Sequence, residues 1–136
     1  MRAYIDTNVL VDFVCSREPF LKNVQKLMAD CVVGKIDLCI SALSIVNTIY
    51  IGRKYGYGDL RKQLYQISKF VDVVDLKGMT VTEALNSDWK DYEDAVQYGN
   101  AMDVYADCIV TRNKKDFTLS NLPVYTVEEI LERIPK

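Results

Sequence analysis

The sequence predicts a three-layer α/β/α sandwich, an α/β fold with a mainly parallel central sheet. Short apolar runs typical of buried strands alternate along the chain with segments whose apolar residues recur at helical spacing. Strands separated by helices indicate parallel pairing, because each crossover places a helix on one face of the sheet. Neither a low-complexity linker nor an internal repeat interrupts the 136 residues, so residues 1–136 are predicted to form one domain.

Capping residues and glycines mark the boundaries of the predicted elements. Thr7 or Asn8 suits the cap of the first helix, and the second helix suits a start at Pro19 and an end at Gly34. The predicted strands are, in chain order, residues 3–5, 37–40, 71–76, 108–111 and 123–125. The predicted helices start, in order, near Thr7, Pro19, Ser41, Leu60, Thr80 or Thr82, Asp91 and Val127.

Two of these helices are predicted from stripes of apolar residues. The stripes follow the helical repeat, which places residues three or four positions apart on one side. The stripe of the helix after Ser41 consists of Leu43, Val46, Tyr50 and Ile51. The stripe of the helix from Asp91 consists of Ala95, Tyr98, Met102 and Tyr105.

The composition restricts the chemistry open to the protein. There is no histidine, which excludes histidine-based acid–base catalysis, a Ser-His triad and a histidine-ligated zinc ion. The net charge of −2 argues against duplex binding driven by bulk charge, although the 17 lysines and arginines leave a local basic patch open. The sequence has no membrane span and no room for a signal peptide, and its four scattered cysteines suit reduced thiols. We therefore expect a cytoplasmic protein without a membrane partner.

Polar side chains collect where predicted strands end. Asp6 follows the first strand, Asn113 and Asp116 follow the strand at 108–111, and Asp94 borders the apolar stripe of its helix. In open α/β sheets the functional crevice lies at the carboxyl ends of the strands, so we expect the three carboxylates to converge there. Such a cluster repels itself unless a hard cation neutralises it, and oxygen-only ligation favours Mg²⁺ or Mn²⁺.

Each of these acids also has a structural alternative. Asp6 suits a helix cap, Asp94 suits the first turn of a helix, and Asp116 suits a turn. The prediction of a metal site therefore depends on the three acids together. Three neighbouring acids are interpreted as structural or solvated, namely Asp12, Asp91 and Asp107.

Four segments resemble, in order, the motifs of PIN domains. Residues 3–10 (AYIDTNVL) resemble the opening strand with its Asp-Thr-Asn, and residues 40–44 resemble the second strand and the helix start after it. Residues 91–95 resemble the segment with the family's third acid, which corresponds to Asp94. Residues 107–117 resemble the closing TRN-x-x-DF motif. Because the match covers nearly the whole chain, the sequence is similar to VapC-like toxins and other PIN-domain ribonucleases.

The resemblance implies an RNase-H-like fold and Mg²⁺- or Mn²⁺-dependent hydrolysis of RNA phosphodiester bonds. It implies metal binding by Asp6, Asp94 and Asp116, with Asn113 beside them. The implied supporting residues are Thr7, Asn8 and Thr111. It also implies two protein partners, an antitoxin peptide that inhibits the toxin and a second copy of the chain. The candidate interface residues are Tyr50, Ile51 and Leu64.

The sequence departs from the family pattern at two positions. Asn47 stands on the helix after the second strand, where PIN nucleases usually have a glutamate, and Asn113 stands where many members have an aspartate. An amide offers a neutral oxygen but lacks the negative charge. The chain therefore resembles an Asn-bearing subgroup in which Asn47 and Asn113 are candidate catalytic residues, and its metal affinity and nuclease strength are open.

Two basic clusters are candidate RNA contacts. Arg53 and Lys54 precede a glycine turn that contains tyrosines, and Arg112, Lys114 and Lys115 flank the predicted metal site. For the first cluster, a solvated helix face is the preferred alternative.

Two other functions were weighed against a nuclease. Aspartyl phosphoryl transfer uses a strand-end aspartate as nucleophile, but such phosphatases need a second acid two residues later, where Asn8 stands. The stronger alternative is a PIN domain with weak or no catalysis that acts as an RNA- or protein-binding module. The amides at Asn47 and Asn113 favour that alternative.

Overall fold

The computed structural model describes all 136 residues of the chain. The strands are β1 (Arg2–Ile5), β2 (Asp37–Ser41), β3 (Asp72–Val74), β4 (Cys108–Val110) and β5 (Val124–Tyr125). The helices are α1 (Thr7–Val14), α2 (Leu21–Val32), α3 (Ala42–Lys54), α4 (Arg61–Ile67), α5 (Gly78–Leu85), α6 (Tyr92–Asp103) and α7 (Val127–Arg133). They surround one five-stranded sheet with the order β3-β2-β1-β4-β5, and all its pairs are parallel. The predicted α/β fold with a parallel central sheet is confirmed.

β1 lies in the middle of this sheet and sets its register. Tyr4 of β1 is level with Cys39 of β2 and with Ile109 of β4. The pairing continues one step past β1, because the Asp6 N–H donates a 2.9 Å hydrogen bond to the carbonyl of Val110. The residues that follow β1 and β4 therefore leave the sheet side by side at its carboxyl edge.

Alternate residues of β1 face the two helical layers. Ala3 and Ile5 belong to the larger core cluster, which includes side chains of α1, α2, α4 and α7. Tyr4 points to the opposite face, where a smaller cluster includes Ala101 of α6 and Phe117. All three β1 residues are fully buried, as expected for the central strand of a sheet covered on both faces.

The buried face of α3 differs from the predicted apolar stripe. Its buried residues are Ser44, Thr48 and Gly52, whereas Val46 and Tyr50 are 50% and 64% exposed. Small residues are required on the inner face because neighbouring parts of the chain approach closely. A Cβ on Gly52 would lie 2.6 Å from Leu60 Cδ1.

The predicted stripe of α6 is only partly correct. Ala95 is buried and Tyr98 is half-buried, but Met102 is exposed. Tyr105 lies beyond the end of the helix and is 88% exposed. Buried polar side chains take up much of the inner face of α6 instead, and their hydrogen bonds are described below. An apolar repeat cannot detect such a face, because it counts only apolar residues.

Smaller differences concern boundaries and single residues. α2 begins at Leu21 rather than Pro19, and α5 begins at Gly78 rather than at Thr80 or Thr82. Leu64, a candidate interface residue, is buried in the chain's own core. The four cysteines are all buried and free. No helix has the length and apolar character that a membrane span requires.

Candidate active site

Asp6 occupies the position between β1 and α1 and is almost fully buried. Its side chain makes no capping hydrogen bond to α1, so it is not oriented as a helix cap. Instead, its Oδ2 accepts a 2.9 Å hydrogen bond from the hydroxyl of Thr111. Burial raises the pKa of Asp6, while the hydrogen bond from Thr111 opposes the rise. Additional positive charge nearby would therefore stabilise the ionised form of Asp6.

Thr111 connects Asp6 to the loop after β4. Its buried hydroxyl donates to Asp6 and also accepts a 3.1 Å hydrogen bond from the Asn113 N–H. The carbonyl of Asn113 in turn accepts a 2.9 Å hydrogen bond from the Asp116 N–H. Asp116 lies in a short 3-10 turn that covers Lys114–Phe117. This chain of hydrogen bonds fixes the loop that carries Asn113 and Asp116 relative to Asp6.

Asp94 lies in the first turn of α6, which begins beside the same edge of the sheet. The carboxylate of Asp91 caps this helix and accepts a 3.0 Å hydrogen bond from the Asp94 N–H. Burial, followed by the negative charges of Asp91, Asp6, Asp116 and Glu93, raises the pKa of Asp94 to about 7. Acids that are distant in sequence therefore act on one another at this edge of the sheet.

Asp94 and Asp116 line a cleft of about 550 Å³. The other lining residues are Asp88, Trp89, Lys90, Asp91, Lys115, Thr118 and Leu119. Asp6 is almost fully buried and is not among the residues that line this cleft. The cleft, hereafter the acid cleft, therefore has four acidic residues and two lysines on its wall.

The donor set of this region fits a hard divalent cation in its chemistry. Mg²⁺ and Mn²⁺ prefer oxygen ligands, and a few carboxylates suffice because the ion keeps several waters. Such an ion would also oppose the effects of burial and of the neighbouring acids, which together raise the pKa of Asp94. However, no group of three or more acidic or cysteine side chains is arranged as a preformed metal site. The residues suit the ion in type and charge, and the side chains are not closed around a single point.

Comparisons with known proteins decide the family. A family model described as a PIN domain matches residues 2–115. This chain belongs to the PIN domain family. No curated protein matches it closely enough to add a relative of known activity.

Solved structures agree with the fold of this PIN domain. A toxin–antitoxin complex from Klebsiella pneumoniae is 21% identical with a TM-score of 0.65, over 92% of this chain and 97% of the other. VapBC2 from Rickettsia felis, bound to a DNA fragment from its promoter, is 16% identical with a TM-score of 0.60, over 91% and 97%. FitAcB from Neisseria gonorrhoeae is 14% identical with a TM-score of 0.65, over 93% and 98%. At these identities the likeness concerns the fold.

Asn47 of the PIN domain lies apart from the acid cleft. It is half-buried on α3 and lines a neighbouring, largely apolar groove that it shares with Glu93. The sequence analysis did not select Glu93, although its negative charge raises the pKa values of both Asp6 and Asp94. The available signal was the run of three acids within Asp91–Asp94, from which only Asp94 was chosen. Glu93 is therefore an additional candidate site residue beside Asn47.

The basic residues near the cleft have different surroundings. Arg112 directs its Nε toward buried Asp12, 3.1 Å from Oδ2, and its guanidinium lies 4.4 Å from the Phe20 ring centre. Lys114 pairs with Glu129 at 3.0 Å. Lys115 is the member of this cluster that lines the acid cleft.

Arg53 and Lys54 occupy the last turn of α3 and are exposed. Neither is among the residues that line the acid cleft. Their surroundings agree with the solvated helix face that was preferred for this cluster. Thr7 is buried and takes part in a polar network described next, whereas Asn8 is half-buried in the first turn of α1.

A buried polar network holds α6 against the rest of the PIN domain. The Tyr4 hydroxyl lies 2.7 Å from Gln97 Oε1 and 2.9 Å from Asn100 Oδ1. The Gln97 amide donates to Thr7 Oγ1 at 3.0 Å and to Ser44 Oγ at 3.1 Å. The network thus joins α6 to β1, α1 and α3, and because Asp94 lies one helical turn before Gln97, it also fixes Asp94 relative to Asp6.

Proposed function

We propose that this PIN domain is a Mg²⁺- or Mn²⁺-dependent endoribonuclease and the toxin of a toxin–antitoxin pair. The observation that supports this most directly is the raised pKa of Asp94, which burial and neighbouring acids that include Asp6 and Asp116 bring to about 7. A purely structural cluster of acids would be paired with arginine or lysine, since unpaired buried charge is costly.

The metal would be held by Asp6, Asp94 and Asp116, with Asn113 and Glu93 as additional oxygen donors. When bound, the ion supplies polarisation of a phosphoryl oxygen and lowers the pKa of a bound water, for which this chain has no histidine. Thr111 orients Asp6 through its hydrogen bond. Lys115, on the wall of the acid cleft, provides positive charge for the RNA phosphate.

The test combines metal binding with RNA cleavage. Titration calorimetry of the wild-type protein should detect Mn²⁺ binding, and single-stranded RNA should be cleaved when Mn²⁺ or Mg²⁺ is added. Asp6→Asn and Asp94→Asn should each reduce cleavage by about 100-fold or more, the range found when catalytic electrostatic groups are removed. Asp30→Asn, a substitution of an acid on α2, serves as the matched control and should cleave like wild type. If the wild-type protein neither binds Mn²⁺ nor cleaves RNA, the nuclease proposal fails.

A second candidate function is an RNA-binding PIN domain with weak or no catalysis. It is favoured by the neutral amides at Asn47 and Asn113 and by carboxylates that are not closed around one point. In the same experiment, RNA that binds without being cleaved in Mn²⁺ would select this function. Restoring the acids in the variant Asn47→Glu with Asn113→Asp should then raise metal affinity, and an unchanged affinity would argue against a lost metal site.

We propose an antitoxin peptide and a second copy of the chain as protein partners in the cytoplasm. One of the structures with a similar fold is a toxin–antitoxin complex. For the second copy, the exposed face of α3 is the candidate surface, because Val46 and Tyr50 leave apolar area in contact with solvent. Light scattering after gel filtration tests the dimer, and a monomer over a wide range of concentrations would contradict it. Release of growth arrest by coexpression of a neighbouring gene product tests the antitoxin.

A further inference from the structure

Trp89 is the single tryptophan of the chain, and it lines the acid cleft together with Asp94 and Asp116. It lies in the loop between α5 and α6 and is half-buried, so part of its indole surface remains open to solvent. It is also the only aromatic residue on the cleft wall. None of the metal-binding roles proposed above involves this side chain.

Neighbouring aromatic rings hold the Trp89 indole in place. Tyr98 stacks against it with ring centres 5.0 Å apart, and Phe117 meets it edge-on at 5.6 Å. Tyr98 lies on α6 one turn after Asp94, and Phe117 directly follows Asp116. The same two elements therefore position the indole and the acids, so the ring has a fixed place relative to the candidate metal site.

Two lysines on the wall of the acid cleft can contact the phosphates of a polyanion whose bases reach Trp89. Lys90 follows it in sequence, and both Lys90 and Lys115 line the cleft together with Trp89. An aromatic face beside lysines is the arrangement by which proteins bind single strands, with bases stacked on the ring and phosphates near the cations. The cleft volume of about 550 Å³ lies within the range of roughly 300–1,000 Å³ typical of small-ligand pockets.

We propose that Trp89 is a stacking platform for an unpaired RNA base next to the phosphate held at the acids. This inference depends on the proposed function and narrows its substrate to single-stranded RNA. Paired bases cover their faces within the duplex, so a duplex cannot present one to the indole. Because four acids line the cleft, RNA should enter only when a divalent cation has neutralised part of their charge.

Because the chain has a single tryptophan, the intrinsic fluorescence of the wild-type protein reports on Trp89. Tryptophan emission is recorded in Ca²⁺, which we use as a divalent cation to limit cleavage, while a short single-stranded RNA is added. We expect this RNA to quench the tryptophan emission. Neither its duplex form nor an oligonucleotide of the same length with abasic sites should quench it. Equal quenching by the abasic strand would overturn the proposal, because that strand has the phosphates without the bases.

Variants extend the test to affinity, measured by the anisotropy of a labelled RNA. Trp89→Leu should bind single-stranded RNA about tenfold or more weakly, since stacking on an aromatic residue contributes ~1–3 kcal/mol per base and ~1.4 kcal/mol corresponds to tenfold. Trp89→Phe keeps a ring against Tyr98 and should lose less. Tyr65→Leu is the matched control, because Tyr65 is an exposed aromatic residue beside Lys69 outside the cleft, and it should bind like wild type.

The outcomes separate this inference from the proposed function. If RNA is cleaved but Trp89→Leu binds and cleaves it like wild type, the platform is wrong and the nuclease stands. If RNA quenches Trp89 and the abasic strand does not, yet no RNA is cleaved, the platform stands and the binding module replaces the nuclease. If Trp89→Leu fails to fold, the wild-type quenching by RNA against the abasic strand still decides the question.

Discussion

Two groups of residues compensate negative charge differently, namely Asp12 with its two arginine partners and the acids of the acid cleft. Asp12 on α1 is 1% exposed, and its two oxygens face Arg17 Nε at 2.9 Å and Arg112 Nε at 3.1 Å. Asp94 in the acid cleft has no such partner, and burial together with neighbouring acids raises its pKa to about 7. The charge of Asp12 is compensated by arginines of the chain, whereas Asp94 has no ion-pair partner within the chain.

Adjacent residues of one loop serve the two groups. Thr111 donates a hydrogen bond to Asp6 of the candidate metal site, while Arg112 pairs with Asp12. Arg112 acts on Asp6 only through its charge, which opposes the rise that burial causes in the pKa of Asp6, whereas its guanidinium pairs directly with Asp12. This contrast favours a cation-binding role for the cleft acids and a structural role for Asp12, because a buried ion pair within the chain requires no ligand.

The largest effect on stability is expected from breaking the ion pairs of Asp12 with Arg17 and Arg112. Asp12→Ala should lower the free energy of unfolding by about 3–5 kcal/mol, since removing one partner of a buried ion pair leaves the other charges unpaired. Urea unfolding followed by circular dichroism measures the change. Lys114→Ala, which breaks the exposed pair with Glu129, is the control and should cost less than about 1 kcal/mol. Equal losses in the two variants would contradict the structural role of Asp12.

The sequence was sufficient to predict the sheet and the strand-end acids. β1, β2 and β4 are continuous apolar runs because both of their faces are buried, and such runs are readable without knowledge of the contacts. The parallel order then requires the residues after β1 and β4 to leave the same edge. For that reason Asp6 and Asp116 could be placed near one another before the structure was known, and the raised pKa of Asp94 is consistent with that placement.

The sequence could not predict how polar residues pair inside the molecule. Arg112 looked like a surface residue beside the site, because its partner Asp12 is 100 positions away and the pairing depends on the packing of α1. Gln97 and Asn100 are polar residues of α6, yet they are buried because the Tyr4 hydroxyl lies within hydrogen-bond distance of both. Pattern analysis detects burial of apolar groups, whereas the burial of polar groups depends on partners that only the tertiary structure supplies.

The second largest effect on stability is expected from breaking the buried polar network that positions Asp94. Gln97→Leu should lower the free energy of unfolding by about 2 kcal/mol, because buried polar atoms of Tyr4, Thr7 and Ser44 lose a partner. If the network also fixes Asp94, this variant should bind Mn²⁺ more weakly when it is measured under conditions where it is fully folded.

Gln63→Leu is the control for this substitution, since Gln63 is exposed on α4. It should change stability by no more than about 0.5 kcal/mol and leave Mn²⁺ affinity unchanged. A Gln97→Leu protein that is destabilised but binds Mn²⁺ like wild type would limit the network to a role in folding.

The smallest effect is a gain in stability, and it tests whether the charge of Asp94 is unpaired. Asp94→Asn should raise the stability of the metal-free protein at pH 8 by about 1 kcal/mol, a value reduced for the screening of a partly exposed side chain. The pKa of Asp94 rises from 3.8 to about 7 on folding. Its stabilising contribution is thus fully present below pH 3.8 and is lost as the pH rises through 7.

Unfolding curves at pH 4 and pH 8 in a metal chelator measure this difference. The gain in Asp94→Asn should be present at pH 8 and nearly absent at pH 4, where the wild-type carboxyl is protonated in the folded state. Adding Mg²⁺ at pH 8 should stabilise the wild type and not the variant, since a ligand that binds only the folded state raises its stability. Asp30→Asn, away from the cleft, should show neither behaviour. An Asp94→Asn protein less stable than wild type at pH 8 would mean that the Asp94 charge is already compensated within the chain.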